Sequence, residues 1–287
     1  MTTGKATVIS QKQLAEVFAW IQNENLPYSY QQANCHNVSH YIYLLLQTKG
    51  IICSKIWSFS PGIYSNTNSS LITFVDPKKL SPTGKIDWGY HVAPLFHVQK
   101  GKKIIQMVID LGLFPNGPVA YKTWLNKLKT RKLLYLIMDA HWYLFTSSMI
   151  PNYVLYGNSD YVLEQNVNLP YFFWDKLIND FFEYEADAYY ELWLPKGLAI
   201  NQTAIAFYEE EIAPILKQKS KKELVNDYKN LVGNVFNFET VFRDNMWNFD
   251  VPPEFQEKHQ DVIFKYKQIY DTNLWRWNDL VNQKIKL

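Results

Sequence analysis

Three side chains of the kinds that perform acyl transfer follow one another along the chain: the thiol of Cys35, the imidazole of His91 and the carboxylate of Asp110. A thiolate attacks a carbonyl carbon, an imidazole moves the protons, and a carboxylate fixes the tautomer of the imidazole. The three types together are the set that a cysteine hydrolase needs to work through a thioester. Because many cysteines and strand histidines are only packed in a core, the prediction depends on the elements that position them.

Cys35 is predicted to begin a helix. Residues 35–49 follow Asn34, which is a good N-cap residue, carry apolar side chains at helical spacing, and end before Gly50. The unpaired N–H groups and the positive dipole end of the first turn favour an anion, and therefore the thiolate form of Cys35. The other cysteine, Cys53, lies among apolar residues and is predicted to be a small buried side chain.

His91 and Asp110 are predicted to face each other across a β-hairpin. Residues 88–98 and 103–111 alternate as strands do, and Lys100-Gly101 is a candidate two-residue turn. That turn places His91 directly opposite Asp110, with Cβ atoms about 4.5–5.5 Å apart. A slip of one residue in the register would separate the two side chains, since it turns one of them to the other face.

An oxyanion hole for this chemistry needs two N–H donors. The backbone N–H of Cys35 is one candidate, and side-chain amides just upstream supply the others: Gln31, Gln32 and Asn34. The sequence does not choose among them. Trp88 and Tyr90 flank His91 on the predicted strand, where we interpret them as core or as the wall of the site, and therefore as candidates for substrate contact.

No metal or cofactor is expected. His36 and His40 lie on the helix of Cys35, but a metal site would need partners such as Asp139 or His141 from elsewhere, so packing is the favoured interpretation. The sequence contains no glycine-rich phosphate loop.

Composition excludes several classes of protein. The chain has 287 residues, of which 47% are apolar and 20% charged, which is typical of a globular protein with a sizeable core. A net charge of +2 gives no electrostatic reason to expect nucleic acid as a partner. Two cysteines form no disulfide framework, and no purely apolar run exceeds the six residues of Tyr41–Leu46, which is too short to span a membrane. The polar N-terminus lacks the pattern of a cleavable signal peptide.

Two domains are predicted. Strand and turn signals dominate residues 1–160, whereas residues 161–287 show successive helix signals. The expected fold class is therefore α+β with an antiparallel sheet, followed by a helical domain that covers the site or recruits a substrate. We predict an N-cap at Asn168, a helix from about Thr203 that Pro214 kinks or ends, and a capping box of Ser220 and Glu223. Another helix is predicted to begin after Pro252-Pro253, and a last one to cover Trp275–Leu287.

Short blocks of residues 30–125 resemble the protein-glutamine glutaminases, bacterial enzymes that deamidate glutamine side chains in proteins. The blocks are Cys35 with His40, Gly50 with Cys53 and Lys55, Trp88–Pro94, Met107–Asp110, and Gly117–Val119 with Trp124. Trp88–Pro94 is the most specific of them. The resemblance departs at Val38, where the family usually has Arg, and at Leu111-Gly112, where it usually has Pro-Ser.

The resemblance implies a papain-like or transglutaminase-like core with Cys35 as nucleophile, His91 as acid and base, and Asp110 as the orienting carboxylate. It implies a protein or peptide substrate whose glutamine becomes glutamate. The same three residues would also suit a transglutaminase or a cysteine peptidase, and an inactive interaction protein that kept the fold is a further alternative. Without a signal peptide, the protein is expected in the bacterial cytoplasm or delivered into a host cell as an effector.

Overall fold

A computed structural model describes residues 5–29, 34–59, 71–76, 78, 84–128, 134–143, 190–234 and 253–285. The candidate amides Gln31 and Gln32 and the predicted N-cap Asn168 lie outside the described residues. The chain divides into two compact units that interleave along the sequence. The first comprises Met1–Asn25, Ser39–Phe74 and Asp87–Tyr190, and the second comprises Leu26–Val38, Val75–Ile86 and Glu191–Leu287.

Within the described ranges, the first unit is built on a six-stranded sheet. Its order is β7-β6-β5-β2-β8, with β1 pairing parallel to β5 and all other pairs antiparallel. Two further strands, β3 and β4, form a separate two-stranded sheet. The strands are β1 (Val8–Ser10), β2 (Ser54–Phe59), β3 (Ile72–Val75), β4 (Lys85–Trp88), β5 (Tyr90–Lys100), β6 (Lys103–Val108), β7 (Val119–Ala120) and β8 (Leu134–Asp139). The mixed α+β architecture with an antiparallel sheet and C-terminal helices agrees with the prediction.

Strand β5 is the centre of this sheet. It pairs with β2 over residues 90–95 and with β6 over residues 95–100, and its residues 91–96 are all buried. An apolar cluster packs around it, and its fully buried members include Ile56, Leu95, Val108 and Trp124. A side chain that projects from the buried stretch of β5 therefore stands on a rigid support.

The hairpin between β5 and β6 differs from the prediction by one residue at the turn. Lys100 pairs with Lys103, so the two-residue loop is Gly101-Lys102 rather than Lys100-Gly101. Gly101 has φ +58° and occupies the first central position, where hairpin turns of this length favour glycine. The change shifts the register by two residues, which leaves every side chain on the face that was predicted for it. His91 and Asp110 are therefore not directly opposite each other, and that prediction was wrong.

Among the residues that the structure describes, three helices accompany the sheet: α1 (Gln11–Asn23), α2 (Cys35–Gln47) and α3 (Tyr121–Leu128). Helix α2 begins at Cys35 as predicted, and Gly50 beyond its end has φ +67°, the left-handed conformation expected after a helix. Residues 35–38 of this helix belong to the second unit and residues 39–47 to the first.

The second unit contains four α-helices among its described residues: α4 (Tyr190–Phe207), α5 (Lys222–Asn234), α6 (Pro253–Lys258) and α7 (Gln260–Ile285). A π-helical turn, Tyr208–Ile212, extends α4 and ends before Pro214, as predicted. The predicted start of α4 near Thr203 was wrong, and so was a separate last helix from Trp275, because both positions lie inside longer helices. None of the described helices combines the length and apolar character of a membrane span.

Candidate active site

The structure brings His91 and Asp110 together despite the shifted register. The Nε2 atom of His91 lies 2.8 Å from Oδ2 of Asp110, and both side chains are buried. Asp110 follows the end of β6 by two residues, and the N–H of Ile109 still donates to the carbonyl of Pro94. In this register the position opposite Asp110 is two residues from His91 on the same face. Such diagonal neighbours are within reach of a long or aromatic side chain.

The carboxylate of Asp110 is held by groups from three directions. Its Oδ2 also accepts the indole N–H of Trp124 at 2.7 Å, and its Oδ1 accepts the backbone N–H of Leu113 at 3.1 Å. The N–H of Phe114 donates to the Asp110 main-chain carbonyl at 2.7 Å, which closes the turn. The carboxylate therefore has little freedom to rotate, and α3 supplies one of its donors through Trp124.

These contacts lower the pKa of Asp110 below its ordinary value. Burial alone raises the pKa of this carboxyl group, because it disfavours the charged form. The attraction of His91, its hydrogen bond and the hydrogen bonds from Trp124 and Leu113 together outweigh burial. Asp110 is therefore an ionised acceptor near neutral pH.

The ionised carboxylate determines the tautomer of His91. A carboxylate only accepts hydrogen bonds, so the His91 nitrogen beside it, Nε2, carries the hydrogen. In the neutral ring, Nδ1 is then the nitrogen with the lone pair that can accept a proton. The orientation required of a general base is thus built into the first unit.

Two tryptophans fix the plane of the His91 ring. The ring stacks on Trp88 with centroids 4.6 Å apart and an interplanar angle of 14°, and on Trp124 at 5.5 Å and 19°. The hydroxyl of Ser58 donates to the His91 main-chain carbonyl. Tyr90 packs against Trp57 on the other side of the strand, with ring centroids 5.8 Å apart. Of the two flanking aromatics that the sequence indicated, Trp88 is therefore the one that contacts the histidine.

Cys35 begins α2 in the second unit, and its side chain is partly exposed. The residues beside it, Asn34, His36 and Asn37, are buried. The carbonyl of Asn34 accepts the N–H of Val38, which is the first hydrogen bond of the helix, so Asn34 occupies the predicted N-cap position. The side-chain nitrogen of Asn34 donates to the carbonyl of Pro27. Cys35 thus presents a thiol at a helix N-terminus whose flanking residues are fixed.

From Ser39 onward, α2 is attached to the sheet of the first unit. The Ser39 hydroxyl donates to the carbonyl of Val92 at 3.1 Å, and Nδ1 of His40 lies 3.0 Å from the ammonium of Lys55 on β2. Lys55 is fully buried and also donates to the carbonyl of Trp142. His40 is therefore engaged in packing and hydrogen bonding. Across the described ranges, no group of three or more His, Cys, Asp or Glu side chains is arranged to hold a metal ion.

The second cysteine has the predicted role. Cys53 is buried, and burial raises the pKa of its thiol to about 12, although the nearby charge of Lys55 acts in the opposite direction. A thiol with this pKa remains protonated at neutral pH and is a poor nucleophile. Cys53 is a structural residue of the first unit.

Sequence reasoning assigned no role to Trp124, although it is the second donor to the Asp110 carboxylate. Trp124 is fully buried on α3, 14 residues after Asp110. A signal was present, because a buried tryptophan usually places its indole N–H against an acceptor. The periodicity of the sequence does not say which acceptor that is.

Comparison with known proteins gives one family match and several structural likenesses. Residues 12–128 match the family model described as glutaminase, and this segment includes Cys35, His91 and Asp110. The crystal structure of a protein-glutaminase is similar at 20% identity, with 57% of this chain and 91% of that chain covered and a TM-score of 0.40. The NMR structure of protein-glutaminase from Chryseobacterium proteolyticum is similar at 19% identity, with 56% and 86% covered and a TM-score of 0.39. No curated protein matches the chain.

Proposed function

We propose, because residues 12–128 match the family model described as glutaminase, that the protein is an amidohydrolase acting on glutamine side chains. The substrate is a protein or peptide, and the product carries glutamate in place of glutamine. The observation that carries the proposal is the buried pair of His91 and Asp110 inside the matched segment, because it supplies an oriented imidazole with a fixed tautomer.

The proposed reaction has two halves with a thioester between them. The Sγ atom of Cys35 attacks the carbon of the glutamine carboxamide, and His91 first accepts the thiol proton and then gives it to the departing ammonia. Water next attacks the thioester while His91 accepts its proton, which returns to sulfur as glutamate is released. Asp110 stabilises the imidazolium at each stage and stays ionised.

Two features support Cys35 as the nucleophile. It is partly exposed at a helix N-terminus, whereas Cys53 is buried and burial raises the pKa of its thiol to about 12. In addition, Ser39, one helical turn after Cys35, donates to the carbonyl of the residue that follows His91. The helix that Cys35 begins is therefore attached to the strand that carries the proposed base.

The backbone N–H of Cys35 is the first proposed oxyanion donor. The side-chain amides of Gln32 and Asn34 are the candidates for the second donor, and the Asn34 amide nitrogen uses one of its two N–H groups on the carbonyl of Pro27. Gln32→Ala is then expected to lower kcat by about 10²–10³ with little change in KM, the usual cost of one lost oxyanion donor. A kcat equal to that of the unchanged protein would remove Gln32 from the site.

We also propose that the core of residues 1–160 is of the papain or transglutaminase type and that residues 161–287 form a helical domain for substrate or partner recognition. A helix that begins with cysteine and packs through Ser39 on an antiparallel strand bearing histidine supports this assignment. Trp88 and Tyr90 are proposed to contribute to substrate contact. Trp88→Phe should retain most activity and Trp88→Leu should lower kcat about tenfold, because only phenylalanine keeps an aromatic ring beside His91.

The test is to incubate glutamine-containing proteins with the unchanged protein and with Cys35→Ala, and to measure both ammonia and the mass change from amide to acid. Cys53→Ala is the matched control, since it removes a thiol with no proposed role. We expect ammonia and glutamate from the unchanged protein and from Cys53→Ala, and neither from Cys35→Ala. Equal signals from Cys35→Ala would refute the proposal. Incorporation of a labelled primary amine in preference to water would indicate a transglutaminase, and new chain termini would indicate a peptidase.

A further inference from the structure

The turn that carries Cys35 is packed against a helix that lies outside the matched segment. Asn37, two residues after Cys35, is completely buried, and its side-chain nitrogen donates to Oδ1 of Asn201 on α4 at 3.4 Å. Asn201 is also completely buried. All three residues belong to the second compact unit. The first turn of α2 is thus connected to the C-terminal helices by a buried amide pair.

Gly197 on α4 makes the close approach of Asn37 possible. A Cβ atom at Gly197 would lie 2.5 Å from both Nδ2 and Oδ1 of Asn37 and 2.7 Å from its Cγ. The whole amide group would have to move, and a completely buried side chain has no solvent to move into. A glycine inside a helix costs about 1 kcal/mol relative to alanine, so this contact gives Gly197 a packing role that offsets its poor helix propensity.

Helix α4 is itself held in place beside this contact. Asn273 on α7 donates to the Thr203 hydroxyl at 3.1 Å, and that hydroxyl donates to the carbonyl of Ala199 at 2.8 Å. Thr203 is completely buried and Asn273 is nearly so. Satisfied buried polar groups of this kind fix one arrangement of the elements that they join. The surface of α4 that receives Asn37 is therefore a rigid one.

We propose that α4 positions the nucleophile, with Gly197 and Asn201 acting through Asn37 as positioning residues for Cys35. The inference rests on the proposed function, which assigns the nucleophile to Cys35. Asn37 fixes the backbone of the first helical turn, and that turn sets both the direction of the Cys35 thiol and the position of its N–H. A displacement of about 1 Å at a reacting group can cost about 10² in rate, so a contact with no substrate in reach can still control kcat.

The experiment compares Gly197→Ala with Glu191→Ala, an exposed substitution on the same helix. For Gly197→Ala we expect kcat to fall at least tenfold and KM to change less than twofold. We also expect the rate of Cys35 alkylation by iodoacetamide to change at least threefold. Glu191→Ala should leave all three values unchanged. Because alanine is the better helix former, a lower kcat in Gly197→Ala reports the overlap with Asn37 and not a weaker helix.

A second substitution makes room for the added methyl group. In Asn37→Ser/Gly197→Ala the shorter side chain relieves the overlap, so kcat should exceed that of Gly197→Ala by about fivefold or more, which simple destabilisation of α4 would not produce. If Gly197→Ala does not fold, Asn201→Ala removes the hydrogen bond without adding bulk, and the same fall in kcat is expected.

The two proposals fail in different ways. Activity retained in Cys35→Ala overturns the proposed function, and the alkylation rates still test the positioning of the thiol. If Cys35→Ala is inactive, but kcat and the rate of Cys35 alkylation are unchanged in Gly197→Ala or Asn201→Ala, the role of α4 is overturned.

Discussion

The Nε2 atom of His91 lies 2.8 Å from Oδ2 of Asp110, and the same oxygen accepts the indole N–H of Trp124 at 2.7 Å. One carboxylate oxygen therefore receives two donors, from a central strand and from a helix that packs beside it. The arrangement fixes the imidazole tautomer and keeps the carboxylate ionised in a buried place. The proposed chemistry depends on this pair more than on any other contact of the first unit.

Asp110→Asn is expected to lower kcat by about three to four orders of magnitude, the size of the loss when the orienting carboxylate of a triad becomes an amide. The amide keeps the shape but offers an N–H where His91 requires an acceptor, so the ring adopts the other tautomer. Steady-state ammonia release measures the effect. Asp87→Asn, at an exposed strand position, is the control and should retain full activity. Comparable activity in the two variants would contradict the role of Asp110.

The stability of the protein should depend on the ionisation of Asp110. Because its folded pKa lies below the ordinary value, the carboxylate stabilises the fold above about pH 4, and this contribution is lost as pH falls through the folded pKa. A protonated Asp110 resembles asparagine, so the difference in unfolding free energy between the unchanged protein and Asp110→Asn should be present above about pH 4 and shrink as the pH falls below that value. Denaturant titrations at several pH values measure it. A difference that widens in acid would contradict the lowered pKa.

The pairing of His91 with Asp110 was predictable from the sequence although the register was not. The predicted two-residue turn lay one residue too early in the chain, which shifted the register of the hairpin by two residues. A shift of two residues keeps both side chains on one face of the sheet. Local patterns also predicted the ends of α2, because Asn34 accepts the first hydrogen bond of the helix and Gly50 has the left-handed conformation that favours glycine after a helix. Information of this kind is contained within a few residues of the chain.

The contacts that connect distant parts of the chain were not predictable. Trp124 and Gly197 are each unremarkable within their own helices, and their partners, Asp110 and Asn37, are set by tertiary packing. The helix over Gln260–Ile285 was predicted as two, one after Pro252-Pro253 and a last one from Trp275, although its buried positions recur at helical spacing on both sides of Trp275. Packing of this kind overrides local propensity and periodicity.

The two cysteines should react very differently in the folded protein. Cys35 is partly exposed, whereas Cys53 is buried and has its pKa raised to about 12 by burial. At pH 8, iodoacetamide should add one group to the native protein, on Cys35, and a second only after unfolding. Intact mass and peptide mapping distinguish the sites. Labelling of Cys53 at an equal rate in the native state would contradict its burial.

The hairpin turn gives a prediction about stability alone. Gly101 has φ +58°, and a Cβ atom added there would meet no other atom within 4 Å, so alanine at this position encounters only backbone strain. Gly101→Ala should lower the free energy of unfolding by about 1–2 kcal/mol, and Gly101→Asn by less, because asparagine tolerates this conformation better. Lys102→Ala is the control at the neighbouring exposed turn position. Chemical denaturation measures the differences, and equal losses in Gly101→Ala and Lys102→Ala would contradict the assigned turn.

The proposed thioester on Cys35 is tested most directly by quenching the reaction with a glutamine peptide in acid and determining the mass of every cysteine peptide of the protein. We expect an adduct on Cys35 equal to the substrate minus ammonia, which accumulates and then decays as glutamate forms, and no adduct on Cys53. Glutamate production that continues in Cys35→Ala, or an acyl group that is found only on another residue, would contradict it.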